Sequence, residues 1–156
     1  MAKRRTAGYV IGLMLVAAIV LSATAPYQRA YAARGDRGSA WAEEWLLARL
    51  IHAEAEGEPY AGRVAVGAVV LNRVESPLFP ATVSGVIFEP GAFSPVYDGR
   101  INLLPDQSSL NAARDALMGW DPSFGALYFY NPAKTTSWWI FTRPITTRIG
   151  NHIFAR

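Results

Sequence analysis

Within eight residues, His52-Ala53-Glu54-Ala55-Glu56-Gly57-Glu58-Pro59 brings together one imidazole and three carboxylates, the densest chemistry in the chain. A carboxyl group can move protons, ligate a metal or carry a solvated charge, and its place on the local element decides which. Leu47, Leu50, Ile51 and Glu54 fall at i, i+3, i+4 and i+7, the buried stripe of an amphipathic helix. Glu54 is therefore a carboxylate on a core face. Burial disfavours the charged form of such a group and raises its pKa. It then keeps a proton near neutral pH and can deliver it to a glycosidic oxygen. Glu56 points to another face and reads as a solvated charge. Glu58 follows one turn later, past a helix-ending Gly57, as a candidate second carboxylate at or behind the site.

Other chemistries compete for these residues. A purely structural reading pairs Glu54 with a buried cation such as Arg73. A metal site built from His52, Glu54 and Glu58 is disfavoured, because His52 and Glu54 lie two apart on a helix and diverge; no metal and no other cofactor is expected. Nucleophilic catalysis fares no better. His52 and His152 are the only histidines, no serine sits in a G-x-S-x-G turn, and cysteine is absent.

Aromatic residues supply the other signature, since the apolar faces of sugar rings pack on aromatic rings. Phe93, Tyr128, Tyr130, Trp138 and Trp139 offer rings, and Asn131 adds an amide that both donates and accepts. For Tyr128 and Phe129 plain core packing is the simpler reading. The Trp138-Trp139 pair is harder to bury whole, so at least one of its rings is expected to face a ligand.

The elements that must carry these groups follow from periodicity and punctuation. Ser39 is a candidate N-cap for the helix that ends at Gly57, and Pro59 suits the first turn of the next. Tyr60–Val74 is apolar on nearly all sides and reads as a buried helix. A short helical turn near Thr82–Phe88 and a loop Glu89–Pro95 follow. Ser108 or Ser109 is expected to cap a helix with Leu110, Ala113, Leu117 and Trp120 on one face. Leu127–Tyr130, Trp139–Thr142 and Ile149–Phe154 read as strands, with Pro144 at a turn or edge. The outline is α+β: a helical lobe followed by a small β element.

Ahead of these elements stands a targeting pattern. Met1–Arg5 is basic, Ala7–Ala25 is apolar, and Ala30-Tyr31-Ala32 offers a cleavage site, so residues 1–32 read as a signal peptide, or as an anchor if uncleaved. Residues 33–40 read as a linker and 41–156 as the catalytic domain. Four of the fifteen basic residues, Lys3, Arg4, Arg5 and Arg29, lie in the leader with no acid, which leaves eleven basic against twelve acidic residues beyond it. No basic patch survives, so nucleic acid is not an expected partner. Membrane contact is expected only through an uncleaved leader.

Taken together these residues resemble the spore cortex-lytic and related cell wall hydrolases of the SleB/CwlJ type. Leu47–Val74 is similar to the opening of that family and Val86–Ser94 to its middle. Gly119-Trp120-Asp121-Pro122, Tyr130-Asn131-Pro132 and Ile149–Phe154 follow in the right order. The resemblance covers about Trp45–Phe154. It implies a lysozyme-like fold akin to lytic transglycosylases, peptidoglycan glycan strands as partner, and cleavage between N-acetylmuramic acid and N-acetylglucosamine. It also implies that the catalytic glutamate, the first of an E-A-x-G-E motif, is Glu54. Glu58, Phe93, Tyr130, Asn131, Trp138, Trp139 and His152 are the candidate substrate-binding residues. Germination-type members often carry an N-terminal wall-binding domain, and the residues ahead of Trp41 are too few for one, so general wall remodelling is an expected duty beside germination. Two rival readings are a muramidase that uses Glu54 with Glu58, and a wall-binding module without catalysis.

Overall fold

The structure, a computed structural model, describes residues 37–156; the expected leader lies outside the described residues. Helix α1 spans Arg37–Ala55 and α2 spans Tyr60–Glu75. Two short helices follow, α3 (Val83–Ile87) and α4 (Ser94–Asp98), then a 3-10 turn at Arg100–Asn102 and helix α5 (Gln107–Leu117). Strand β1 (Tyr128–Tyr130), a 3-10 turn at Trp138–Thr142, and strands β2 (Ile145–Ile149) and β3 (His152–Ala155) complete the fold. Among the described residues no helix is long and apolar enough to cross a membrane.

Helices α1, α2 and α5 pack on one another to form the core. Leu47, Leu50 and Ile51 of α1 are fully buried, as are Val64, Val66, Val69 and Val70 of α2. The close approach depends on Gly67, where an added Cβ would lie 2.9 Å from Ile51 Cδ1 and 3.1 Å from Ala116 Cβ. Burial nearly all around α2 is what its apolar circumference demands.

The sheet is antiparallel with strand order β1-β3-β2. Tyr128, Phe129 and Tyr130 pair with Ala155, Phe154 and Ile153, and Ile149 pairs with His152 across a two-residue turn. Alternation gives the sheet two faces. Phe129, His152 and Phe154 stack on one face, and Phe93 meets Phe129 there. Tyr130, Ile153 and Ile140 form a small cluster on the other, with Tyr128 packed against it.

Six details differ from the sequence reading. Residues 37–40, expected in the linker, form the first turn of α1, and Ser39 lies inside that helix rather than capping it. Helix α5 is capped by Asp106, which accepts from the Ser109 N–H at 2.7 Å, because Asp106 precedes the serines and presents a charged acceptor. Trp120 falls beyond α5 and stacks on Tyr60 at the surface. Trp139–Thr142 is a 3-10 turn, not a strand: the Thr142 hydroxyl donates to the Trp139 carbonyl while Ile140 turns inward. Ile149–Phe154 is not one strand but the turn and return of a hairpin, since Gly150, at φ 58°, makes the two-residue reversal. Helix α4, with Pro95 in its first turn, takes up the end of the segment that the sequence reads as a loop to Pro95.

Candidate active site

Four segments converge on one open cleft of about 710 Å³. The end of α1 and the α1–α2 junction supply Ala53, Glu54, Glu56 and Glu58; α4 and the turn after it supply Ser94 and Arg100. The β1 strand and its following loop supply Phe129, Tyr130, Asn131, Lys134 and Thr135, and the hairpin supplies Asn151 and His152. Side chains distant in sequence meet here, and Glu58, just past α1, accepts two hydrogen bonds from Asn151, just before β3.

Glu54 sits on the edge of the α1 core stripe, half-buried, with its carboxylate in the cleft. Burial pushes its pKa up, opposed by the charge of Arg100, supported by Asp98 and opposed again by Lys134. The structural alternative for Glu54 does not hold. Arg73 is turned elsewhere: its Nε donates to the Leu127 carbonyl at 2.7 Å and its guanidinium lies among Phe79, Phe93 and Tyr128. Arg100 is the cation that acts most strongly on Glu54. Its Nη1 donates to the Ala53 carbonyl at 2.6 Å, closing the last turn of α1, and Nε donates to Asp98 Oδ2 at 2.9 Å.

Glu58 lines the same cleft, with Oε1 and Oε2 each accepting a bond from Asn151. Burial would push its pKa up, but the Asn151 backbone and side-chain bonds outweigh that and hold it below the usual range. One cleft thus contains a carboxyl group biased toward the proton and a carboxylate biased toward ionisation. His152 is 7% exposed and lines the cleft floor. Burial pushes its pKa down, against the pull of Glu58 and with the push of Lys134, which favours the neutral imidazole. His52 lies outside the cleft lining, with Nδ1 3.7 Å from Asp106.

The remaining candidate binders are placed unevenly. Tyr130 and Asn131 line the cleft. Phe93, 4% exposed, packs beneath Phe129 and is not part of the lining. Trp138 is 85% exposed outside the cleft, and Trp139 borders a second, smaller cavity. Arg100, Lys134 and Ser94 line the cleft and Asp98 acts on Glu54, and no sequence pattern marks any of them. Nothing in Asp98-Gly99-Arg100 distinguishes a turn beside a site from any other charged turn.

The pattern of the Cell Wall Hydrolase family matches residues 57–155. A spore cortex-lytic enzyme from Oceanobacillus iheyensis is 57% identical over 111 residues, which is 71% of this chain and 40% of that protein. The chain belongs to the cell wall hydrolase family. It spans well under half the length of that family relative. The solved catalytic domain of Bacillus cereus SleB is 54% identical with a TM-score of 0.70, covering 73% of this chain and 89% of that one. The catalytic domain of the germination-specific lytic transglycosylase SleB from Bacillus anthracis is 53% identical, also with a TM-score of 0.70, covering 73% and 93%. The expected α+β, lysozyme-like arrangement is therefore the one found. The family match begins three residues after Glu54.

Proposed function

We propose that this chain cleaves peptidoglycan glycan strands, in spore cortex or vegetative wall, as an exported lytic transglycosylase with Glu54 as both general acid and general base. The observation that carries the reading is Glu54 itself, a carboxyl group raised in pKa by burial at an open cleft large enough for sugar rings. The names of the relatives support the substrate class, and the leader pattern supports export.

In this mechanism protonated Glu54 gives its proton to the oxygen linking N-acetylmuramic acid to N-acetylglucosamine. The C6 hydroxyl of the muramic residue attacks its own anomeric carbon, and Glu54 takes the hydroxyl proton back. Because the nucleophile is intramolecular, its effective concentration is high and no water has to be positioned. One carboxyl group suffices. Tyr130, Asn131 and His152 line the surface on which the sugars would rest, with Glu58 behind them.

A muramidase reading has one observation in its favour, the ionised Glu58 in the same cleft, which could activate water. Its two oxygens already accept bonds from Asn151, and that favours the single-acid route. Mass spectrometry of soluble products from isolated peptidoglycan separates these readings. Anhydro-muramic ends that disappear with Glu54→Gln are the expected result. Ordinary reducing ends would replace the transglycosylase with the muramidase, and wall binding without any product would replace catalysis with a binding module.

A further inference from the structure

Arg73 is a cation kept in the protein interior with no salt bridge among the described residues. It is 8% exposed, and among the described residues no carboxylate lies within 4.0 Å of its guanidinium. Its ring neighbours Phe79, Phe93 and Tyr128 lie 5.0, 5.2 and 5.6 Å away, measured to their centroids. Among the described residues its side chain makes one hydrogen bond, from Nε to Leu127 O. Among the described residues the terminal nitrogens Nη1 and Nη2 donate to no acceptor, and Arg73 lines an adjoining space.

That space is a cavity of about 290 Å³ lined by Arg73, Phe79, Glu89, Tyr128, Phe129 and Trp139, among others. Phe129 lines both this cavity and the Glu54 cleft, so the two are neighbours. A second guanidinium, Arg143, stacks over Tyr128 and Trp139 at 5.3 and 5.0 Å. A buried guanidinium with free terminal nitrogens is built to receive a planar carboxylate through two parallel bonds.

We infer that this cavity is a second binding site, which takes a carboxylate borne on the side arm of the muramic residue while the glycan lies in the Glu54 cleft. The inference rests on the proposed glycan substrate for its ligand. The arm is an acid, either the lactyl carboxyl group itself or the peptide joined to it, and it leaves the sugar ring within reach of a neighbouring cavity. Aromatic walls keep water from the pair and strengthen it. Glu89, on the same lining, opposes an incoming anion and draws on the Arg73 charge. The site therefore selects for a ligand that binds Arg73 more closely than Glu89 does.

The test is a binding titration of the full chain carrying Glu54→Gln, which leaves the fragments uncleaved. Three soluble probes are compared: the disaccharide with its peptide carboxylates free, the same fragment with them amidated, and the peptide-free disaccharide with a free lactyl carboxylate. A carboxylate received by Arg73 is expected to tighten binding about tenfold over the amidated form. Adding Glu89→Gln widens that preference and Trp139→Ala narrows it; neither variant removes the buried cation. Equal affinity of the peptide-free and peptide-bearing acids supports the site with the lactyl group as its source. Equal affinity of free and amidated fragments, or a preference that Glu89→Gln leaves unchanged, overturns the site while the glycan reading stands. No binding by any probe overturns both.

Discussion

Asn151 holds both oxygens of Glu58, its backbone N–H donating to Oε2 and its side-chain amide to Oε1, each at 2.9 Å. The partners are 93 positions apart in the chain. Glu58 belongs to the junction that ends the Glu54 helix, and Asn151 to the turn that presents His152. One carboxylate therefore fastens the helical wall of the cleft to its β wall.

Replacing Glu58 by Gln, or Asn151 by Ala, should lower stability by about 0.5–1 kcal/mol near neutral pH, because each weakens a charge-assisted pair that solvent partly screens. The sign with pH follows from the lowered pKa of Glu58. Its stabilisation is present above the ordinary carboxylate pKa and is lost as pH falls through the lowered value. Urea denaturation at about pH 7 should separate the wild type from Glu58→Gln, and the gap should close below about pH 4. A gap that persists in acid would mean that the charge of Glu58 is not what matters.

Gly150→Ala should strike the same fastening from the other side. A Cβ there would stand 2.0 Å from Glu58 Oε2, and φ is 58°. Displaced carboxylate and positive φ together should cost about 1–3 kcal/mol. With Glu58→Gln in place the contact is already weakened, so the double variant should lose less than the two single losses added. Full additivity in thermal melts would show that the hairpin turn and Glu58 act independently.

Glu54→Gln should abolish most cleavage and yet make the protein more stable. Loss of a general acid lowers turnover by about 10²–10⁴-fold. The stability sign is the reverse of that for Glu58. A carboxyl group raised in pKa by burial carries no penalty while both folded and unfolded forms are protonated. The penalty grows as pH rises from the ordinary carboxylate value through the raised one. Glutamine cannot ionise, so its Tm should equal that of the wild type near about pH 4 and exceed it near about pH 7. A variant less stable than the wild type at neutral pH would show that ionised Glu54 is held by partners rather than merely tolerated.

Much of this site could be read from residue order. The stripe Leu47, Leu50, Ile51, Glu54 placed a carboxylate on a core face because helical period is a local property, and Tyr60–Glu75 declared itself by an unbroken apolar surface. The hairpin was harder. Ile149 and Ile153 have strand character on both sides of Gly150, and only the pairing of Ile149 with His152 shows the reversal. Trp138–Thr142 has the composition of a strand, but no neighbouring strand pairs with it, and local turns win. Arg100 and Lys134 escaped notice because their importance lies in distance to Glu54, which no local pattern encodes. Phe93 shows the converse: an aromatic residue with the right chemistry for sugar stacking, turned instead into the core.

The charges around Glu54 should shift its working pH in opposite directions. Arg100 favours the ionised carboxylate and lowers its pKa, whereas Asp98 disfavours it and raises it. A general acid works while protonated, so the alkaline limb of the pH–rate profile follows the Glu54 pKa. Arg100→Gln removes the favouring charge, lifts the pKa further and should move that limb to higher pH. Asp98→Asn removes the disfavouring charge and should move it to lower pH. Both variants also disturb the Asp98–Arg100 pair, which is exposed and worth little in stability. Arg100→Gln additionally opens the last turn of α1 by losing the bond to the Ala53 carbonyl. A purely structural role would lower the rate in both variants and leave the limb in place. Opposite displacements of the limb, measured on one soluble glycan fragment at low salt, are the outcome that ties catalysis to the proton on Glu54. Displacements in the same direction would mean that another group sets the profile.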